Sequence, residues 1–280
     1  MSHIEQTSAI EIMDTRLSFS EMGRGKTILM LHGNPGSRRD FSFIAQHLAD
    51  NSIKCLYPDR PGHISSEEII YDQPDPWLET QLYAELINKK ANGKTTIVGY
   101  SLGCFVAAKI AIKHPEKVNG LCFIDPYLVP DNKNEKPSSI PELAKGAFIG
   151  TLLGVLLPLL SQNKMTQHIK NVFLPEKVPE GYLETWLPRY TRFETLMAMM
   201  TDKNSMLSIL NDVHEKLAEI KCPIKIIAGK EDKVCSSAEQ ISLCKEKAPE
   251  SEIIEIENGG HALPFTHSEE CAKIIKSMIS

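Results

Sequence analysis

Gly99-Tyr100-Ser101-Leu102-Gly103 fits Gly-x-Ser-x-Gly, with the β-rich run Thr95-Thr96-Ile97-Val98 before it and a helical pattern after it. A serine at such a strand-to-helix turn sits in a tight backbone position that small neighbours make possible, and its hydroxyl points away from the sheet. The N–H of Leu102 then lies at a helix N-terminus, where it can donate to a developing oxyanion. A second loop, Leu31-His32-Gly33-Asn34-Pro35-Gly36, follows another β-rich run. Its glycines let the backbone come close to a ligand, and the N–H of Asn34 is the expected second oxyanion donor. His32 is read as structural, holding this turn through hydrogen bonds.

A serine hydroxyl is a weak nucleophile at neutral pH and needs a base that is itself oriented by a carboxylate. His261, in Gly259-Gly260-His261 after the final strand, is the histidine in the right context, and Asp232 in Ala228-Gly229-Lys230-Glu231-Asp232 is the expected acid. Asp125, at the end of a strand, and the adjacent Glu231 compete for that role. Two other patterns fail on their own terms. Gly23-x-Gly25-Lys26-Thr27 lacks the first glycine of a phosphate loop and leads into a strand, and His214-Glu215 has no second histidine for a zinc motif.

These residues need a frame, and short β-rich runs alternate with stretches of helical length as in a mostly parallel sheet flanked by helices. Strands are expected at Ile10–Met13, Leu17–Ser20, Thr27–Leu31, Ile53–Tyr57, Thr95–Tyr100, Val118–Ile124, Ile224–Ala228 and Ile253–Ile256. Helices are expected at Arg38–Ala49, Trp77–Lys90, Leu102–His114, Ser236–Lys247 and Ser268–Met278. The alternation stops over 127–212, which reads as a helical cap or lid inserted after the sixth strand, leaving 1–126 and 213–280 as the core. Within the lid, Gly146–Leu160 is almost wholly apolar but shorter than the roughly 20 residues that span a membrane. A lid helix buried on several sides is the first reading of this run; on the other, Phe148, Leu152 and Leu156, with Trp186 and Met197 further on, are candidates for a substrate pocket, or the same run touches a lipid surface.

With 31 Lys plus Arg against 36 Asp plus Glu, the chain has a net charge of −5, which argues against nucleic acid as a partner. The seven cysteines are odd in number and never spaced Cys-x-x-Cys, so neither a disulfide framework nor a zinc site is expected. The first residues carry Glu5, Glu11 and Asp14 and lack the basic start of an export signal, so the chain is expected in the cytoplasm.

In chain order Ser101, Asp232, His261, together with His32-Gly33 and Asp59-Arg60-Pro61-Gly62, the sequence resembles a capped member of the α/β-hydrolase superfamily. The resemblance implies an eight-stranded α/β core, a Ser-His-Asp triad and a serine hydrolase that cleaves a carboxylic ester or thioester with an apolar acyl or alcohol portion through an acyl-enzyme, without metal or organic cofactor. Carbon–carbon bond hydrolysis by the same triad, or a binding protein that keeps the fold without turnover, are the rival readings. Haloalkane dehalogenases share a similar His-Gly-Asn-Pro loop but use an aspartate followed by a tryptophan, where this chain has Ser101 and Leu102. Dehalogenation is therefore not expected. Ile64 stands where relatives commonly have the second glycine of Asp-x-x-Gly-x-Gly.

Overall fold

The computed structural model describes residues 4–66, 76–130 and 135–279. In chain order these hold β1 (Gln6–Ile12), β2 (Thr15–Gly23), β3 (Lys26–Leu31), α1 (Ser42–Leu48), β4 (Ile53–Pro58), α2 (Leu78–Lys90), β5 (Thr95–Tyr100), α3 (Leu102–Lys113) and β6 (Val118–Ile124). Four helices follow: α4 (Ile140–Ala144), α5 (Ala147–Phe173), α6 (Tyr182–Tyr190) and α7 (Phe193–Lys216). The chain then returns through β7 (Ile224–Gly229), α8 (Ser237–Lys247), β8 (Glu252–Ile256), α9 (Leu263–Thr266) and α10 (Ser268–Lys276).

The eight strands form one sheet in the order β1-β2-β4-β3-β5-β6-β7-β8. The β1–β2 and β2–β4 pairs are antiparallel and the others parallel. Burial explains why the central strands read as unbroken apolar runs. Ile28, Leu29, Met30 and Leu31 are all fully buried, and successive side chains go to opposite faces. Leu29 and Leu31 join Leu82, Phe105, Leu121 and Leu217 on one face, while Ile28 and Met30 join Ile44, Leu48, Cys271 and Ile275 on the other. The parallel strands β3, β5, β6, β7 and β8 all end on one edge, so the loops that follow them can meet there.

The helix expected over Arg38–Ala49 is divided into a 3-10 turn at Arg38–Phe41 and then α1. Ser37 caps the turn: its hydroxyl accepts the Arg39 N–H at 3.2 Å and the Asp40 carboxylate accepts the Ser37 N–H at 3.2 Å. Ile64 takes the place of a glycine in backbone as well as in sequence, with φ 46° beside Gly62 at φ 75°. A branched side chain in this region is strained, and Ile64 packs against the Met165, Ile169 and Phe173 cluster of the inserted helices.

Helices α4 to α7 stand between β6 and β7, and α5 runs straight through Pro158. Helix α7 carries a break at Ile209 (φ −126°), after which Val213 joins the core cluster, so the helix that contains position 212 continues to Lys216. The inserted helices are tied to the sheet by ionic and polar contacts. Asp202 of α7 meets Arg60 Nη1 at 3.0 Å and His63 Nε2 at 2.8 Å, and Arg60 Nε also meets Glu79 at 3.3 Å. The Asn34 side-chain amide donates to the Met199 carbonyl of α7 at 2.9 Å.

Candidate active site

Ser101 sits between β5 and α3 with φ 53° and ψ −124°, a strained conformation for a residue with a side chain. Its neighbours show why glycine is required there. A Cβ on Gly103 would lie 2.0 Å from the Leu31 carbonyl oxygen, and one on Gly99 would lie 2.5 Å from Cys104 Cα. Ser101 is thus fixed by close packing of α3 against β3 and β5. Leu102 opens α3, whose leading N–H groups have no acceptor within the helix. Gly33 brings the loop after β3 against the serine, since a Cβ on it would come within 2.8 Å of Ser101 Cβ.

His261 and Asp232 arrive on the loops after β8 and β7. His261 Nε2 lies 3.1 Å from Ser101 Oγ, and its Nδ1 lies 2.7 Å from Asp232 Oδ2. The other carboxylate oxygen of Asp232 accepts the N–H groups of Val234 at 2.7 Å and Cys235 at 3.0 Å, which fixes the carboxylate plane. Nδ1–H therefore donates to Asp232 and leaves Nε2 to accept from the serine. Asp125 is engaged elsewhere: its Oδ1 accepts the Gly229 N–H at 2.8 Å. Burial, then the Asp232 charge, push its carboxyl well above the usual range and favour the neutral form. Glu231 contributes its backbone N–H to the Gly259 carbonyl at 2.8 Å, pinning the two loops together.

His32 is fully buried and accepts the Arg60 N–H on Nε2 at 2.8 Å, while Nδ1–H donates to the Gly33 carbonyl at 2.9 Å. Burial holds its pKa well below the ordinary histidine value, so it stays neutral and locks the loop that carries Asn34. Asp232, Cys235 and His261 offer three ligating atoms within 4.8 Å of one another. Two of these atoms, His261 Nδ1 and Asp232 Oδ2, lie at hydrogen-bond distance from one another.

A cavity of about 40 Å³ opens beside Ser101 and His261. Its polar wall comprises Asn34, Asp40, Tyr100, His168, Tyr182 and Tyr190, and its apolar wall Ile169, Val172, Phe173, Val234 and Phe265. Burial and then the nearby His261 lower the His168 pKa to about 4, so this second histidine is neutral. The pocket residues expected from sequence lie elsewhere. Phe148, Leu152 and Leu156 are 83%, 50% and 40% exposed along α5, because only the C-terminal half of that helix turns toward the sheet. Met197 is buried without lining the cavity. Trp186 stacks on Tyr190 with ring centroids 5.8 Å apart and stands behind the two tyrosines that do line it. Asp40, His168, Tyr182 and Tyr190 went unread in the sequence. The aromatic spacing Tyr182, Trp186, Tyr190 along one helix face was the available signal for the last two.

Fold and site together define a protein of the hydrolase type in which a serine, a histidine and an aspartate meet at the strand edge. The family model described as alpha/beta hydrolase fold matches residues 26–268, and the chain belongs to this family. It is similar to monoacylglycerol lipase ABHD6 of Homo sapiens, 24% identical over 261 residues that cover 90% of this chain and 75% of that protein. It is also similar to pimeloyl-[acyl-carrier protein] methyl ester esterase of Aeromonas salmonicida (strain A449), 23% identical over 269 residues covering 94% and 99% of the two chains. Among solved structures, Cfl2 from Burkholderia cenocepacia superposes with a TM-score of 0.78 at 20% identity, covering 99% of this chain and 96% of that one.

Proposed function

We propose that the protein is a serine hydrolase that cleaves a carboxylic ester or thioester through an acyl-enzyme. The observation that carries this reading is the continuous relay from Asp232 to His261 at 2.7 Å and from His261 to Ser101 at 3.1 Å. His261 Nε2 takes the proton of Ser101 as Oγ attacks the acyl carbonyl, and the N–H groups of Leu102 and Asn34 hold the oxyanion. The imidazolium, stabilised by Asp232, gives its proton to the departing alcohol or thiol. Water then attacks the acyl-enzyme by the same relay and releases the acid. Two relatives are named as a lipase and a methyl ester esterase, which supports ester chemistry here.

Residues 127–212 act in this reading as a cap over the site, supported by His168, Tyr182 and Tyr190 from the inserted helices on the cavity wall. The exposed row Phe148, Leu152, Val155, Leu159 on α5 supports contact between the cap and a lipid surface. Among the described residues no helix is long and apolar enough to cross a membrane. Seven free thiols support a reducing compartment such as the cytoplasm.

A fluorophosphonate should label Ser101 alone, as read by mass spectrometry of the digested adduct, and a panel of short methyl esters and acyl thioesters should be turned over. Labelling without turnover of any ester or thioester would refute the assignment.

A further inference from the structure

The wall of the cavity facing the catalytic serine holds more hydrogen-bond donors than the protein itself uses. The hydroxyls of Tyr182 and Tyr190 lie 3.5 Å apart, so two O–H groups share one bond and one proton remains to be given. Asp40, only 3% exposed, lines the same cavity. Its Oδ2 accepts the Ser37 N–H at 3.2 Å and its Oδ1 lies 3.4 Å from Ser37 Oγ, and burial, offset in part by the Ser37 N–H and aided by the Asp59 charge, pushes its pKa up to about 8, which favours the protonated carboxyl at neutral pH. Asn34 Oδ1, on the same lining, is buried with no hydrogen-bond partner among the described residues. Among the described residues no lysine or arginine lines the cavity, and its second histidine is neutral, so a charged group on the acyl chain would meet no cationic side chain there.

Resting on the ester reading above, we propose that Asp40, Tyr182 and Tyr190 form a specificity site for an uncharged oxygen, hydroxyl or carbonyl, on a short acyl group of the substrate. Size agrees with chemistry. A space of about 40 Å³ accepts a few water-sized groups beside Ser101. The apolar side chains of Ile169, Val172 and Phe173 cover the carbon skeleton, while the substrate oxygen accepts from donors that an unsubstituted acyl chain would shut off from water and leave unpaired. A site built around polar groups discriminates strongly against an analogue that lacks the matching oxygen, because its donors are then left unpaired.

The test compares methyl butyrate, methyl 3-hydroxybutyrate and methyl 3-oxobutyrate by pH-stat titration of the released acid, with kcat/KM measured for each. The wild-type protein should prefer at least one oxygenated ester over butyrate by about tenfold or more. The hydroxy and oxo arms separate a site that also uses the Asn34 acceptor from one that only donates. Tyr190→Phe, Tyr182→Phe and Asp40→Ala should each shrink that ratio by severalfold, and the tyrosine variants keep the test open if Asp40→Ala fails to fold. Turnover of all three esters at equal kcat/KM, or a ratio untouched in all three variants, would overturn the proposal while leaving the hydrolase reading intact. Failure to hydrolyse any of the three esters would overturn the proposal, and failure on acyl thioesters as well would overturn both.

Discussion

Replacing Asp232 by Asn separates the proposed orienting acid from its rival, and the geometry sets the outcome. Oδ1 of Asp232 is held by the N–H groups of Val234 and Cys235 at 2.7 and 3.0 Å, and Oδ2 faces His261 Nδ1 at 2.7 Å. An Asn must keep its oxygen on those two donors, since turning its NH2 onto them would set donor against donor. The NH2 then faces Nδ1, which has to become the acceptor, and the ring proton moves to Nε2. In that tautomer His261 cannot take the proton of Ser101. The equivalent change in the chymotrypsin triad costs about 10⁴ in kcat. That loss is about 5.4 kcal/mol of transition-state stabilisation, at about 1.36 kcal/mol per factor of ten. Asp125→Asn is the control. Asp125 favours its neutral form and uses Oδ1 on the Gly229 N–H, so Asn reproduces both shape and charge, and kcat should fall less than about tenfold. The assay is kcat on a methyl ester, normalised to phosphonate-titrated sites, with thermal melting to verify the fold. A loss of four orders in Asp125→Asn beside near-native turnover in Asp232→Asn would refute the reasoning.

Gly103→Ala would put a Cβ 2.0 Å from the Leu31 carbonyl oxygen and 2.7 Å from that of His32, both backbone atoms. Urea unfolding should show a loss of about 2–4 kcal/mol, and an unaltered midpoint would mean that α3 can shift freely. Asp202→Ala strips the buried Arg60 of one of two carboxylates and frees His63, so a loss of about 3 kcal/mol is expected, with Glu79 at 3.3 Å limiting the damage. A ΔΔG below about 0.5 kcal/mol would show that the clasp between α7 and the loop after β4 contributes nothing. Phe148→Ala should leave acyl preference and melting temperature alone yet weaken binding to lipid vesicles in a flotation assay, whereas Phe173→Ala, at 1% exposure, should destabilise by about 3–5 kcal/mol. Equal vesicle binding by wild type and Phe148→Ala would count against the lipid-surface contact. Asp40 binds its proton more tightly folded than unfolded, its pKa rising from 3.8 to about 8, so its contribution to stability is greatest below pH 4 and is lost up to pH 8. Asp40→Asn should therefore gain on the wild type across that window by up to about 1.4 kcal/mol per pH unit, and parallel stability curves would contradict it.

The sequence alone determined the central strands and the Gly-x-Ser-x-Gly turn, because both rest on local necessity, whereas the first strand, expected at Ile10–Met13, runs Gln6–Ile12 with Met13 in the turn at φ 52°. A parallel strand covered on two faces must be apolar throughout, as at Ile28–Leu31, and a serine at φ 53° needs glycines at 99 and 103 where a Cβ would strike backbone. The histidine and its acid followed from the same logic, since loops after neighbouring parallel strands end on one edge. The cap was another matter. Its apolar run Gly146–Leu160 reads by composition as a buried lid helix or as pocket lining, yet Phe148, Leu152 and Leu156 are exposed and the end of α5 that reaches the cavity is His168 to Phe173. Which face of an apolar helix turns inward is set by how the whole cap docks, through Asp202 on Arg60 and His63 and through Met199 on Asn34. Asp40 shows the same limit most clearly. In sequence it is an ordinary capping residue three positions after Ser37, and only the tertiary structure makes it a buried acid, its pKa pushed up to about 8, on a cavity wall shared with Tyr182 and Tyr190.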